Sequence, residues 1–247
     1  MENERKYDEF YCSVEQRNLP LECLNDTNYP QYKGNIFCPN CRIAKLYFVN
    51  QGTPHLRTIP HSIHSESCLY AYEIASTQNS IEYLEKLTNI QMKNKLASLM
   101  RRMFYNENSC NKVNNYLDEE INPLLININS PNKEKNIKSL REKSINASFG
   151  EEDDGELFVF YGKVKFNFFK QEKNEYAYLQ VFVKDKRKFS IKINPNAENL
   201  PQNNKEYFFV AIGIFLYKFK EKYPAFQIKL SRDDSIKWKE IHAEHKE

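Results

Sequence analysis

Apolar and polar positions alternate with a period of two through much of residues 155–247, the spacing of strands that bury one face. Strands are expected over 157–169, 176–184, 188–193, 207–219 and 226–230, with Asn194-Pro195-Asn196 and Leu200-Pro201 marking turns. Gly213 interrupts the fourth strand, where a bulge is expected. A short helix is expected after Asp233-Asp234-Ser235. In the second strand Ala177, Leu179, Val181 and Val183 share one face, and Tyr176, Tyr178, Gln180 and Phe182 the other. In the third, Phe189, Ile191 and Ile193 form the core set, and Lys188, Ser190 and Lys192 face outward. In the first, Lys163 and Lys165 alternate with Val164 and Phe166.

The period changes to three and four between Ile81 and Met103, through Leu84, Thr88, Met92, Leu96 and Leu99. That spacing predicts one amphipathic helix over 80–105, capped by Asn79 or Ser80. A mixed segment broken by Pro123 follows, and then residues 129–154, rich in Lys, Glu and Asp and poor in apolar positions, read as a charged linker. Residues 1–36 read as short strands and turns. The expected organisation is α+β: a metal-binding module with a helical extension over 1–128, the linker over 129–154, and a small antiparallel β-barrel over 155–247. Five strands, long in the first and fourth, resemble an OB-like barrel.

Composition adds two constraints. Net charge is only +3, but the surplus of Lys and Arg lies within 155–247, while the rest of the chain is net acidic. An anionic partner is therefore expected at the barrel. No uninterrupted apolar run is long enough to cross a membrane, and the first residues lack the pattern of a signal peptide. A cytoplasmic, reducing location is expected, so the cysteines, 6 in all, point to metal or free thiols rather than disulfides.

The candidate chemistry lies in residues 37–68. Cys38-Pro39-Asn40-Cys41 is a turn that aims two thiolates at one ion, and His64 with Cys68 supplies a second pair, placed by its spacing on one face of a helical turn. Between the pairs, 43–49 alternates as a strand and Gln51-Gly52 makes a turn. His55 and His61 compete for the histidine position; Cys12 and Cys23 read as buried thiols. Four protein ligands leave no open position for water, so Zn2+ in a structural role is expected.

The order Cys-Pro-x-Cys, strand hairpin, Pro60-His61-Ser62-Ile63-His64, then Cys68 resembles the zinc-finger-like N-terminal region of the competence protein CoiA family, over about residues 37–70. The resemblance implies His64 as the ligand histidine and His61 as a packing or supporting residue. Ser62-Ile63 departs from that family's aromatic-small pair, and the family's proposed nuclease domain has no matching carboxylate pattern downstream.

The outward set Lys163, Lys165, Tyr176, Tyr178, Phe182, Lys188 and Lys192 mixes aromatic rings with ammonium groups. That mixture holds single-stranded DNA or RNA: rings stack bases and lysines track phosphates. The expected function is a zinc-containing nucleic-acid-binding accessory protein of bacterial or phage type, acting in DNA uptake, repair or a mobile-element process. The alternatives are an adaptor whose barrel binds a protein partner, and a metal-dependent nuclease in which His61 activates water. No P-loop, nucleophile elbow or Gly-rich dinucleotide loop is present, and no catalytic residue is assigned.

Overall fold

The computed structural model describes residues 7–105, 122–129, 135–170, 176–194, 200–220 and 223–241. It is α+β, mostly strands, and divides into two compact units: Met1–Ile74 with Leu125–Ser139, and Ala75–Leu124 with Leu140–Glu247. The units cut across the expected division. The helices over 77–105 belong with the barrel rather than extending the N-terminal module, and residues 125–139 belong with the N-terminal unit.

The first unit contains β1 (Glu9–Cys12), β2 (Arg17–Pro20), α1 (Tyr29–Tyr32), β3 (Ile36–Phe37), β4 (Leu46–Val49), β5 (His55–Thr58), β6 (Leu125–Asn129) and β7 (Lys135–Ser139). Its sheets are small: β2-β1-β3, the β4-β5 hairpin and the β6-β7 hairpin. Phe10, Ile36, Leu46, Phe48 and Leu56 form a core with Cys12, Cys38 and Cys68, and Tyr29 and Tyr32 pack against it. A bridge from Ile74 to Ser139, and the Ser139 N–H donating to the Glu73 carbonyl at 2.9 Å, attach the β6-β7 hairpin to this unit.

The second unit opens with α2 (Thr77–Glu85) and α3 (Asn89–Tyr105), where one helix was expected. The break has a local cause. The Thr88 Oγ1 accepts from the Gln91 N–H and the Gln91 side chain accepts from the Thr88 N–H, a capping box that starts a new helix. Ser76, not Asn79 or Ser80, caps α2 by accepting from the Asn79 N–H.

Strands β8 (Glu142–Ser144), β9 (Leu157–Lys170), β10 (Ala177–Val183), β11 (Lys186–Ile193), β12 (Glu206–Lys220), β13 (Tyr223–Leu230) and β14 (Ile236–Glu240) complete the unit. Five of them close a barrel in the order β9-β10-β11-β13-β12-β9. β9 and β12 are long because each serves two neighbours within the barrel. The first half of β9 pairs with β12 and its second half with β10, while β12 passes from β9 to β13 at Gly213. The expected bulge at Gly213 is replaced by this handover: its register is continuous, and a Cβ would lie 2.5 Å from the Lys229 carbonyl oxygen. The register shift falls instead at Val181/Phe182 in the β10–β11 pair. β11 and β13 are parallel, and the other barrel pairs are antiparallel.

Alternation fills the barrel as predicted: Phe160, Phe166, Leu179, Val181, Phe189, Ile191, Phe209 and Phe215 are buried inside. Two further expectations are corrected. Residues 236–240 form β14 instead of a helix, because Ile236 and Trp238 alternate with lysines; Trp238 packs on Phe166 with ring centres 5.9 Å apart. The segment 129–154 supplies β7, β8 and a buried ion pair, Lys143 to Asp153 at 2.6 Å, with Lys143 lying over the Phe149 ring. This pair is satisfied within the fold, so the number of charges in the segment does not by itself imply solvation. His242 and His245 lie outside the described residues. Among the described residues no helix is long and apolar enough to cross a membrane.

Candidate metal centre and barrel face

The Cys-Pro-x-Cys turn follows β3. The Cys38 N–H donates to the Ala44 carbonyl at 2.8 Å, and the Arg42 N–H to the Cys38 carbonyl at 2.9 Å. Arg42 closes the loop with φ 56°, and its guanidinium lies 4.5 Å from the centre of the Tyr11 ring. The second half of the site comes from the loop after β5. His64 and Cys68 do not share a helix, contrary to expectation. The Cys68 N–H donates to the Ser65 carbonyl, making a turn, and Cys68 itself is extended with ψ 133°. The two halves are tied by the Leu69 N–H donating to Asn40 Oδ1 at 3.1 Å, and the Lys45 N–H to Ser62 Oγ at 2.8 Å.

The ligand atoms of Cys38, Cys41, His64 and Cys68 all lie within 4.8 Å of one another. Cys38 Sγ is 3.6 Å from Cys68 Sγ, and His64 Nδ1 is 3.6 Å from Cys41 Sγ and 3.3 Å from Cys68 Sγ. A tetrahedral ion bonded at about 2.3 Å to sulfur and about 2.0 Å to nitrogen has edges of roughly 3.5–3.8 Å. The cluster therefore has the size of a four-coordinate metal site. None of the described cysteines is in a disulfide.

Protonation supports the same reading. Burial, then hydrogen bonding with Cys41, pushes the Cys38 thiol far up. Hydrogen bonds from Cys38 and then Cys68 hold Cys41 far below the ordinary thiol range. For Cys68, hydrogen bonding from Cys38 acts downward, but Cys41 and burial outweigh it and leave the thiol pushed up to about 12. Without a cation the cluster stabilises one thiolate, at Cys41. Three thiolates together need a positive ion between them.

Behind the cluster, His64 Nε2 lies 3.2 Å from the Tyr7 hydroxyl and 3.4 Å from Thr58 Oγ1. Tyr7 stacks flat on Tyr70, with ring centres 4.3 Å apart. These groups leave Nδ1 as the ligating nitrogen and fix the ring plane. The sequence reading did not single out Tyr7 or Thr58. The signal for Thr58 was its inward parity with Leu56 on β5; Tyr7 carried none. His61 sits in an exposed turn with φ 66°, outside the cluster, and His55 is bonded through Nδ1 to the Thr53 carbonyl. Cys12 is buried, Cys23 is exposed, and neither joins the cluster.

On the barrel, the proposed binding residues divide into two groups. Tyr178 pairs across β10 with Phe169 on β9 and with Lys192 on β11, giving a row across three strands. The Tyr176 ring meets Tyr178 edge-on at 5.5 Å, and Lys192 Nζ lies 3.8 Å from the Tyr176 ring centre. Next to this row, Asn167, Gln180 and Ser190 form a polar row. Phe182 and Lys165 border a shallow recess with Asp185, which accepts from Lys165 at 3.0 Å. Lys188 and Lys192 lie on the outward side of β11. Lys163 stands apart: it pairs with Phe208 of β12, its Nζ lies 5.4 Å from that ring, and Phe104 of α3 packs on the same ring. Phe169, 53% exposed, was missed, although its parity with Lys163 and Lys165 places it on the outward face.

Comparisons with protein-family models and with curated proteins found no match to this chain.

Proposed function

We propose that this chain binds single-stranded nucleic acid on the outer face of β9, β10 and β11, and that zinc holds the N-terminal unit together as a structural ion. The observation that carries the first part is the row Phe169–Tyr178–Lys192, flanked by Tyr176. One exposed and two half-buried rings next to a lysine, with an adjacent amide and hydroxyl row, offer stacking, phosphate contact and base-edge hydrogen bonds on one surface. Each stacked base contributes about 1–3 kcal/mol by ring removal. The barrel supports this reading through its strand order, first-second-third-fifth-fourth and back to the first, with third and fifth parallel, which resembles that of an OB-like barrel.

Zinc is supported by the donor set: three thiolates and one imidazole at tetrahedral spacing suit a soft-to-borderline divalent ion with no geometric preference of its own. With four protein ligands the ion has no open position, which argues for staple over catalyst. Free, unpaired thiols fit a reducing cytoplasm. The likeness of residues 37–70 to the CoiA finger region supports a place in DNA uptake, repair or a mobile-element process.

The test is titration of a fluorescent oligonucleotide at several salt concentrations. Salt-sensitive binding, weakened at least tenfold by Phe169→Ala with Tyr178→Ala at unchanged melting temperature, is expected. No binding at low salt, or salt-insensitive binding, would sink the proposal. The exposure of Phe169 also suits an adaptor. A stoichiometric protein partner, recovered after nuclease treatment and lost with Phe169→Ala, would replace nucleic acid by protein.

A further inference from the structure

We infer that the outer face of the β4-β5 hairpin, in the metal-bearing unit, is a second surface for single-stranded nucleic acid. The inference rests on the nucleic-acid reading above but uses none of the barrel residues.

Charge is the first observation. From Thr27 to Ser65 the chain contains no Asp or Glu, in a protein with 33 of them overall, while the same stretch holds Lys33, Arg42, Lys45 and Arg57. The hairpin turns part of that composition into a surface. Leu46, Phe48 and Leu56 point into the core, so the opposite parity faces out: Tyr47 and Val49 on β4, with Lys45 just before it, and His55 and Arg57 on β5. Tyr47 and Arg57 are directly paired across the strands, and Lys45 precedes Tyr47 on the same face. Lys45 and Arg57 are exposed, and no carboxylate among the described residues pairs with either. The carboxylate that approaches the hairpin, Asp26, accepts from the Asn50 amide beyond the end of β4.

Apolar exposure is the second observation. Ile43 is 60% exposed and Ile63 is 80% exposed. Ile43 precedes Lys45 by two positions, and Ile63 adjoins Ser62, whose Oγ accepts the Lys45 N–H. Both sit on loops that carry metal ligands, so the ion holds them in place. Taken together, the face offers two unneutralised cations, an aromatic ring between them and an apolar end. Phosphates suit the cations, a base suits the ring, and sugar or base edges suit the isoleucines. An acidic peptide would satisfy Lys45 and Arg57 but would leave Tyr47 without a stacking partner, so nucleic acid is the occupant we assign.

The test uses the full-length, metal-loaded chain and a fluorescent oligothymidylate. Lys45→Gln with Arg57→Gln should weaken binding and reduce the slope of log K against log salt by about 1.4, or about 0.7 for each lost phosphate contact. Tyr47→Ala should weaken binding with the slope unchanged, and ultraviolet irradiation of the complex should crosslink the probe to Tyr47. All three side chains are at the surface, and unchanged bound metal checks that the unit stays folded. If the barrel variants weaken binding while the Lys45/Arg57 variant keeps the wild-type affinity and slope, the second surface is overturned and the barrel reading stands. If the hairpin variants act and the barrel variants do not, the reverse holds. If the wild-type chain does not bind, both readings fall. Equal displacement by poly-aspartate, without a Tyr47 crosslink, would overturn nucleic acid in favour of an acidic protein partner.

Discussion

The two units solve the same problem with different means. The barrel unit closes a sheet on itself and fills it with Phe160, Phe166, Phe189, Phe209 and Phe215, all buried. Each such ring removes enough apolar surface from water to contribute about 1.5–3 kcal/mol. Among the described residues of the unit that carries the candidate metal site, no sheet is wider than three strands, and two of its sheets are single hairpins. Isolated hairpins are marginal in water, and the core of this unit includes the candidate ligands Cys38 and Cys68. On the proposed reading, one unit is held by area and the other by an ion. The ways of breaking them should therefore not overlap.

The largest effect should come from removing the ion. Apparent binding energies for comparable structural sites are about 10–16 kcal/mol, and that is folding energy for the unit that carries them. Chelation, or Cys38→Ser, should unfold the metal-bearing unit and leave amide protection in the barrel unchanged; hydrogen exchange resolved by segment reads both at once. The pH dependence follows from the same cluster. Without metal, Cys38 and Cys68 hold their protons above the ordinary thiol value of 9.0, Cys68 up to about 12. Metal binding at neutral pH displaces those protons, so affinity should rise by about two decades per pH unit and metal should be lost on acidification. Metal retention followed against pH tests this slope.

The converse experiment breaks the barrel alone. Phe209→Ala opens a cavity in the aromatic core and should cost about 3–5 kcal/mol. Denaturant unfolding should show one transition moved to lower denaturant, while metal content stays at the wild-type value. A fall in metal content with Phe209→Ala would mean that the units do not stand separately.

How much of this was legible follows from the same contrast. The barrel was legible because alternation is a repeated signal: four of its five strands carry the pattern at predicted positions, and the fifth only begins earlier, at Tyr223. Its closure into a barrel was expected too; the parallel pairing of β11 with β13 was not, since it joins strands separated by the whole of β12. The four ligands were legible because thiolates and imidazole in that spacing have few other uses. Their backbone was not. The His64–Cys68 spacing fits a helix as well as it fits the turn made by Ser65, and only the Cys68 N–H bond to Ser65 decides it. Residues 129–154 misled for a third reason. Charge count stands in for exposure only when charges lack partners, and Lys143 and Asp153 have each other.

A smaller perturbation separates the ion from the groups that aim its histidine. Tyr7→Phe keeps the ring stacked on Tyr70 and removes only the hydroxyl near His64 Nε2. Metal affinity should fall about 10–100-fold, the range for loss of a partner that orients a ligand. The fold at saturating metal should be unchanged. Competition with a chromophoric chelator measures the first and circular dichroism the second. Thr58→Val should act in the same direction, since Thr58 Oγ1 bonds the Tyr7 hydroxyl at 2.8 Å and also approaches the imidazole. If Tyr7→Phe leaves affinity unchanged, the imidazole is held by its stacking neighbour Tyr70 instead.

The smallest effect lies in the barrel unit and concerns a boundary. Thr88 starts α3 by exchanging hydrogen bonds with Gln91, and the chain between α2 and α3 is held from below by Arg232, whose guanidinium donates to the carbonyls of Leu84 and Leu87. Thr88→Ala removes one of these supports and should cost about 1 kcal/mol, the usual loss for a helix cap. The two helices should not fuse into one, because the Leu87 carbonyl between them would still be held by Arg232. Arg232→Met should cost more than Thr88→Ala, since it removes the side-chain donor to the Leu84 and Leu87 carbonyls. The melting shifts of the single and double variants test the coupling. A double-variant shift equal to the sum would mean that cap and carbonyl contacts act independently. A smaller shift would mean that they stabilise the same break in the helix, and neither result should alter bound metal.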